Sequence, residues 1–231
     1  MKSCIITQSN YIPWKGYFDS INQVDIFVIY DDMQYTKRDW RNRNYIKTPQ
    51  GLKWLSIPVE VSGKFHQKIN ETLISDKSWN RSHWESIKQN YKDAPCFKDN
   101  KDWLENLYMT CNFDRLTDVN EFFIKEIGTY LGIITEYRRS EEFVLSEERT
   151  QKMVDICVDL GANHYYSGPS AKAYMIEEKF TDKGIELHYF DYSNYPEYPQ
   201  LYENFEHGVS IIDMIMNLGT ETPNYMKSFK I

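Results

Sequence analysis

The sequence predicts an α/β protein whose mostly parallel sheet carries an inserted β-hairpin and a helical subregion. Two nearly continuous apolar runs, Cys4–Thr7 and Asp25–Tyr30, flank a short helical pattern, as at the start of a parallel sheet. Turn residues at 49–51 separate two strand patterns, and residues 78–131 show helical spacing. At 231 residues without a linker, we expect one domain over 1–231, with an α/β core at about 1–75 and 133–231.

The opening elements follow from apolar spacing. After the first strand, Asn10–Trp14 carries turn and breaker residues, which predict a loop. Tyr17, Phe18 and Ile21 then share one face of a helix over Gly16–Gln23. Asp25–Tyr30 follows as a strand buried on both faces.

The hairpin is predicted to pair Trp40–Thr48 with Lys53–Val61 around Pro49–Gly51. Strand alternation would put Arg41, Arg43, Tyr45 and Lys47 on one side and Trp40, Asn42, Asn44 and Ile46 on the other. Two guanidiniums about 7 Å apart on one strand face could straddle a diphosphate, or a phosphate and a carboxylate. The structural alternative is a solvated face of an edge strand, where basic side chains discourage aggregation.

The rest of the chain alternates helices and strands. A helix capped by Ser78 and running to about Lys92 has Trp79, His83, Ile87 and Tyr91 four residues apart. The later elements are predicted as helices Asp99–Thr110 and Asp118–Leu131, strand Ile133–Tyr137, a helix from Ser146 to Gly161, strand Asn163–Gly168, short helix Pro169–Glu178, strand Ile185–Phe190 and helix Val209–Leu218.

The composition argues against several classes of protein. No run of about 18 apolar residues exists, so we expect no membrane-spanning helix, and the N-terminal apolar stretch is too short for a secretory signal. Four scattered cysteines favour buried thiols in a reducing cytoplasm over a disulfide framework. The 16% aromatic content fits either a tyrosine-rich core or the walls of a polar-ligand pocket.

Positive charge is concentrated in one segment of the chain. Residues 37–53 contain six basic side chains and one acidic one, in a chain of net charge −7. Like charges crowded into one segment indicate an anionic ligand. The acidic remainder argues against general nucleic-acid binding, although RNA binding through this hairpin stays a lesser alternative.

No established metal or nucleotide motif is present. None of the five histidines has a second histidine, cysteine or aspartate at ligand spacing on the same element, so we expect no zinc site. A magnesium ion held by one carboxylate and substrate phosphates stays open, with Asp31 and Asp32 at the end of a buried strand; the alternative is an Asp-capped turn. P-loop and dinucleotide fingerprints are missing, but the first loop precedes a helix N-terminus that could take a phosphate. Gly16 there either allows a ligand to approach or serves packing.

Acid–base candidates are few. His83 lies on an aromatic helix face, where a core role competes with a catalytic one. His164 precedes Ser167, Gly168 and Pro169 near a strand end, a position that exposes side chains. Ser167 lacks the flanking glycines of a nucleophile elbow, which disfavours a hydrolase triad.

Several distinctive segments are spread over the chain: Gln8–Tyr17, Asp32–Asn44, Trp54–Val59, Trp79–His83 with Tyr91–Pro95, and Tyr166–Ser170 through Tyr174. In this order, and over essentially the whole chain, they resemble the WbqC-like family. The motif positions carried over are Gln8, Pro13, Trp14, Gly16, Gln34, Lys37, Trp40, Asn42, Arg43, Asn44 and His83. The first half also resembles Rossmann-like, nucleotidylyltransferase-like folds such as pantothenate synthetase, without their signature histidines, so that likeness concerns the fold alone.

The family resemblance implies a role in bacterial surface-polysaccharide (O-antigen) biosynthesis. The expected reaction is acyl or aminoacyl transfer, or ATP-dependent amide formation, on the amine of an amino-sugar nucleotide. The alternative is a non-catalytic sugar-nucleotide- or carbohydrate-binding partner of an assembly enzyme. The cofactor stays open: ATP, with or without Mg²⁺, for a ligase; an acyl-carrier thioester or aminoacyl-tRNA for a transferase, the one case in which a nucleic acid would be a partner.

The leading hypothesis assigns roles to the candidate residues. Arg41, Arg43 and Lys47 would bind the diphosphate, and Lys37 would neutralise charge at the reacting group. Trp14, Tyr35 and Trp40 would stack on base or sugar, and His83 or His164 would be the general base. The remaining binding candidates are Gln8, Tyr11, Pro13, Gly16, Asp32, Gln34, Asn42, Asn44, Ser167 and Gly168.

Overall fold

The computed structural model describes residues 1–229. In chain order its strands and helices are β1 Ser3–Thr7, α1 Lys15–Asn22, β2 Ile26–Ile29, β3 Arg43–Thr48, β4 Gly51–Ser56, α2 Trp79–Tyr91, α3 Phe97–Thr110, α4 Leu116–Tyr130, β5 Glu136–Arg139, α5 Arg149–Leu160, β6 His164–Ser167, α6 Glu178–Thr181, β7 Glu186–Tyr189 and α7 Ile211–Leu218.

Five strands form one sheet in the order β5–β2–β1–β6–β7, and every neighbouring pair is parallel. The strands β3 and β4 form a separate antiparallel hairpin. The predicted α/β class with a mostly parallel sheet and an inserted hairpin is therefore confirmed.

The sheet separates two hydrophobic clusters. On one face, side chains such as Ile5 and Phe27 pack with α1, α7 and the helices α2, α3 and α4. On the other face, Cys4, Ile6 and Val28 pack with α5 and α6. Alternate residues of β1 and β2 therefore enter different cores, which explains why both strands read as continuous apolar runs.

The hairpin is shorter than its sequence pattern predicted. Its ladder runs from Arg43 opposite Ser56 to Thr48 opposite Gly51. Beyond Arg43, the Asn42 side chain donates to the Ile57 carbonyl and the Ile57 amide donates to the Asn42 carbonyl. Pro58 then has no amide hydrogen to continue the ladder, so the paired region ends there.

Three other elements differ in detail from expectation. Ser78 is the N-cap residue of α2, but its hydroxyl donates to Asp76 at 2.7 Å rather than capping the helix. The fifth strand begins at Glu136, and the hydroxyl of the preceding Thr135 donates to the carbonyls of Ile21 and Val24, at 2.8 and 3.0 Å. The predicted helix after Ser167 divides into a 3₁₀ turn over Pro169–Ala173 and α6.

Candidate functional site

The strand order changes direction at β1, which has β2 on one side and β6 on the other. In open α/β sheets, ligands bind outside the carboxyl ends of the strands at such a switch point. A cavity of about 290 Å³ lies there, lined by Thr7 and Gln8 at the end of β1, Tyr30 after β2, and Ser167 and Gly168 at the end of β6. We call it the switch-point cleft.

Two guanidiniums line the switch-point cleft, from Arg41 in the basic segment and Arg149 at the start of α5. Arg41 donates to the Ser9 carbonyl at 3.2 Å and to the Asn10 side chain, and its Nε lies 3.6 Å from Asp39. Arg149 stacks on the ring of Tyr174, with Cζ 3.4 Å from the ring centroid. Two cations at one cavity favour an anionic ligand.

The hydroxyls at the cleft stay protonated at neutral pH. Burial raises the pKa of Tyr30 to about 12, and burial together with the nearby Asp31 raises that of Tyr17 well above its usual value. Burial also raises the pKa of Tyr192. Ser20, Ser167 and Ser170 add further hydroxyls to the lining. Tyr17 and Ser20 already donate to the carbonyls of Gln8 and Gly16, at 3.0 and 2.8 Å, so the hydroxyls that can donate to phosphate or sugar oxygens are those such as Tyr30 and Ser170.

Asp31 joins the loops that carry the cleft. Its carboxylate accepts from the Ser9 amide and hydroxyl at 2.8 and 2.6 Å and from the Thr117 hydroxyl at 2.5 Å. Burial raises the pKa of Asp31. Because protein donors already occupy this carboxylate, it is a positioning group rather than the free oxygen ligand that a magnesium ion needs. Asp32 accepts from the Ser140 hydroxyl.

A second, more apolar cavity of about 340 Å³ adjoins the basic segment. It is lined by Asn10, Pro13, Trp14, Trp40, Asn44 and Gly208, and we call it the tryptophan pocket. The hairpin supports it, since Trp40 packs on Trp54 with 5.4 Å between ring centroids. Four of the predicted site residues therefore meet here.

The two cavities are neighbours. The guanidinium of Arg41, in the cleft, bonds the side chain of Asn10, in the tryptophan pocket. The ring of Trp14 packs against Tyr192 of the cleft, with centroids 5.4 Å apart. A ligand with an anionic part and a ring could contact both.

The loop after β1 holds an uncommon backbone conformation beside the pocket. Ile12 has a φ of 35°, rare for a β-branched residue. Asn44 stabilises it by donating to the carbonyls of Tyr11 and Ile12 at 3.2 and 3.0 Å, and the Tyr11 amide donates to the Trp40 carbonyl. Several contacts thus fix the backbone of this loop, as is common at functional sites.

The predicted diphosphate clamp of Arg41, Arg43 and Lys47 does not form. The Lys47 amine is buried and donates to the Gln200 side chain and the Tyr202 carbonyl, at 2.8 and 2.9 Å. The Arg43 guanidinium stacks on Trp54 at 3.9 Å and donates to the Arg38 carbonyl. Of the three, only Arg41 lines the cleft. Strand β3 begins at Arg43, so Arg41 lies outside the strand and does not share a strand face with the other two.

His83 is a structural residue rather than an available base. Its Nδ1 is 2.8 Å from the Tyr11 hydroxyl and its Nε2 is 3.2 Å from the Ser56 carbonyl. The Tyr11 hydroxyl also bonds that of Tyr108 at 2.8 Å. Burial lowers the pKa of His83 to about 4. A general base needs a nitrogen that reaches the substrate, and both nitrogens are already engaged inside the protein.

Several other residues with predicted roles lie away from the cleft and the tryptophan pocket. His164 begins β6 and so lies at the amino edge of the sheet, opposite the cleft. Lys37 is exposed and lines neither cavity, and exposed Gln34 donates to the Phe65 carbonyl. Tyr35 is buried, with its pKa raised to about 12 by that burial, so it cannot stack on a ligand in either cavity.

Gly16 has a packing role. A Cβ at this position would lie 2.3 Å from the ring of Trp14. The glycine therefore lets the indole fold back over the first turn of α1, where it lines the tryptophan pocket.

Sequence reasoning missed Arg149 and Tyr174 in the cleft and Tyr192 between the cavities. Arg149 was detectable, because the helix that follows a parallel strand begins at the carboxyl edge of the sheet. The sequence also does not indicate the buried Lys15, whose amine lies 2.9 Å from His207 and whose pKa is lowered to about 8 by burial. Tertiary contacts alone bring these residues together.

Proton-transfer groups are scarce at both cavities. Among the residues that the structure describes, no histidine, lysine, aspartate or glutamate lines the cleft or the tryptophan pocket. The site is thus rich in groups that bind and orient a ligand and poor in groups that move protons.

A family model described as "WbqC-like protein family" matches residues 8–225. The chain is 47% identical over 227 residues to "Uncharacterized protein Rv1507c" of Mycobacterium tuberculosis, covering 98% of each chain. No solved structure matches significantly. Within residues 1–229, no helix is long and apolar enough to cross a membrane.

Proposed function

The chain belongs to the WbqC-like protein family, and from that premise we propose that it binds an amino-sugar nucleotide and acylates or aminoacylates the sugar amine. The nucleotide diphosphate would contact the switch-point cleft, and a sugar or base ring would enter the tryptophan pocket. The proposed setting is bacterial surface-polysaccharide biosynthesis in the cytoplasm.

One observation carries the proposal: the guanidiniums of Arg41 and Arg149 line one cavity, and the apolar pocket of Trp14 and Trp40 adjoins it. Guanidiniums recognise phosphates through charge and paired hydrogen bonds. Tryptophan faces pack against the apolar faces of rings. Sugar nucleotides combine both features in one small molecule. The position at a switch point supports the same ligand class, and the nucleotidylyltransferase-like fold remains an analogy within this proposal.

The proposed chemistry is amide formation. The sugar amine attacks an activated acyl carbon, the new carbon–nitrogen bond forms, and the bond from that carbon to its sulfur, ester oxygen or phosphate leaving group breaks. The amine proton passes to the leaving group or to solvent. Candidate donors are an acyl-carrier thioester, an aminoacyl-tRNA, or an acyl-adenylate made from ATP. The protein would contribute by holding both reactants in position.

Arg149→Gln tests the binding part of the proposal. Arg149 makes no hydrogen bond within the described structure beyond those of its helix, so its removal should leave the fold intact. In calorimetry with a dTDP- or UDP-linked amino-dideoxyhexose, we expect at least tenfold weaker binding, since one charge-assisted phosphate contact contributes about 1.5–3 kcal/mol.

The matched control is Arg81→Gln, which makes the same charge change on an exposed position of α2. We also expect Arg43→Gln to retain binding, because Arg43 lies outside both cavities. Equal affinities for wild type and Arg149→Gln would contradict the proposed ligand position.

The second candidate function is a non-catalytic sugar-nucleotide-binding partner of an assembly enzyme. The absence of acid–base side chains among the described cavity residues favours it. Mass spectrometry decides between the two: the protein is incubated with the amino-sugar nucleotide and, in turn, each donor class. An amide product supports the transferase, whereas binding without product under every donor supports the partner.

A further inference from the structure

Three potential metal ligands meet at the edge of the sheet opposite the cleft. His164 and Glu186 are the first residues of β6 and β7 and lie directly opposite each other in the ladder. His188 follows Glu186 by two residues, so it extends from the same face of β7. The sequence predicts no zinc site, because ligand spacing within single elements does not bring these three residues together. Parallel pairing of two strands creates the cluster instead.

The distances suit a small divalent ion. His164 Nδ1 lies 2.9 Å from His188 Nε2, and the Glu186 carboxylate lies 3.6 and 3.7 Å from those two atoms. A point equidistant from these three atoms is about 2 Å from each, which matches zinc–nitrogen and zinc–oxygen bond lengths. No other group of three such ligands occurs within residues 1–229.

A hydrogen bond between the two imidazoles accounts for only part of this arrangement. One neutral ring could donate to the other at 2.9 Å, but the carboxylate at 3.6–3.7 Å is then outside hydrogen-bonding range of both. The rings are also held in place, since His188 stacks on Tyr166 with centroids 4.7 Å apart. An ion at the centre would engage all three groups.

We propose that His164, Glu186 and His188 bind a divalent transition-metal ion, zinc in preference to magnesium or calcium. Two imidazoles and one carboxylate are ligands that zinc favours, whereas magnesium and calcium favour all-oxygen sites. Side-chain exposures of 16% for His164, 35% for His188 and 70% for Glu186 leave a path for the ion and one coordination position for water. The ion would join edge strand β7 to β6. This site is independent of the proposed ligand cleft.

Titration of the full-length, metal-free protein with zinc chloride in a calorimeter tests the site. We expect one equivalent to bind, and the His164→Ala and His188→Ala variants to bind at least about 100-fold more weakly, because each loses a direct ligand. Zinc should raise the melting temperature of the wild type, because it binds the folded state. Magnesium and calcium should give no comparable heat or shift.

His66→Ala is the matched control, since His66 is exposed on a loop outside the cluster. It should bind zinc as the wild type does. Glu186→Gln gives a second variant whose largely exposed side chain can change without affecting folding, and we expect at least tenfold weaker binding. Wild-type zinc affinity in the histidine variants and Glu186→Gln, or no zinc binding by the folded wild type, would overturn the assignment.

Discussion

In the switch-point cleft, polar side chains face an open cavity, whereas around His83 they face one another. The guanidinium of Arg149, which stacks on Tyr174, lines the cleft together with the hydroxyls of Tyr30 and Ser170. In the region around His83, which we call the sealed interface, the Tyr11 hydroxyl bonds both His83 and the Tyr108 hydroxyl, and all three residues are buried. Both regions contain residue types that sequence patterns predict to be catalytic or ligand-binding. Packing decides which of them can meet a ligand.

The comparison predicts opposite consequences for mutation. Changes in the sealed interface should lower stability, because they open a cavity or leave buried polar groups without partners. Changes in the cleft should alter ligand binding while leaving stability nearly unchanged.

Tyr11→Ala should show the largest effect. Tyr11 is fully buried and packs edge-to-face against Trp79 and Phe123, at 5.8 and 5.7 Å between ring centroids. Replacing a buried aromatic ring by alanine costs about 3–5 kcal/mol of unfolding free energy. Urea denaturation of this variant beside Arg149→Ala, for which we expect a change within about 0.5 kcal/mol, measures the contrast. Similar losses in both variants would remove the distinction between the regions.

The next effect is a pH dependence carried by His83. Burial lowers its folded-state pKa to about 4, so between that pH and about 6.5 the unfolded chain binds a proton that the folded chain does not. Stability should therefore fall as the pH decreases through this window, with a contribution of roughly 3 kcal/mol from this group. Denaturation at pH 7 and pH 4.5 measures it.

His83→Gln should flatten this part of the profile, and the exposed His66→Gln should not. Carboxylates elsewhere in the protein contribute to acid sensitivity in every variant. The informative quantity is therefore the difference between the two mutants in how stability depends on pH. An unchanged slope in His83→Gln would mean that the histidine reaches solvent and protonates freely, as the original general-base hypothesis requires.

The same contrast explains how far the sequence could be interpreted. The strands around Ile5 and Phe27 were predictable, since burial on both faces forces continuous apolar runs. Lys47 and Arg43 were misassigned, because strand alternation gives the side of a strand but not the partner that comes to lie against it. Lys47 meets a loop more than 150 residues later in the chain.

The site was predictable only where the topology itself determines position. Gln8, Ser167 and Gly168 follow strands that are neighbours in a parallel sheet, so their convergence at one edge follows from the predicted fold. The start of α5 places Arg149 at the same edge, whereas Tyr174 reaches it through tertiary packing that no local pattern records. Predicting the cluster of His164, Glu186 and His188 requires the register of β6 against β7, which apolar periodicity does not provide.

Gly16→Ala should change stability much less than Tyr11→Ala, and it falls on the border between the two regions. The new methyl group would lie 2.3 Å from the present position of the Trp14 ring, so the partly exposed indole must move. Alanine gains about 1 kcal/mol of helix propensity over glycine, which offsets part of that displacement. We therefore expect an unfolding free energy within about 1 kcal/mol of wild type. Because the ring lines the tryptophan pocket, calorimetric affinity for the sugar nucleotide should nevertheless fall. A stability loss like that of Tyr11→Ala would instead place Trp14 among the sealed residues, and the tryptophan pocket would then be part of the core rather than of the ligand site.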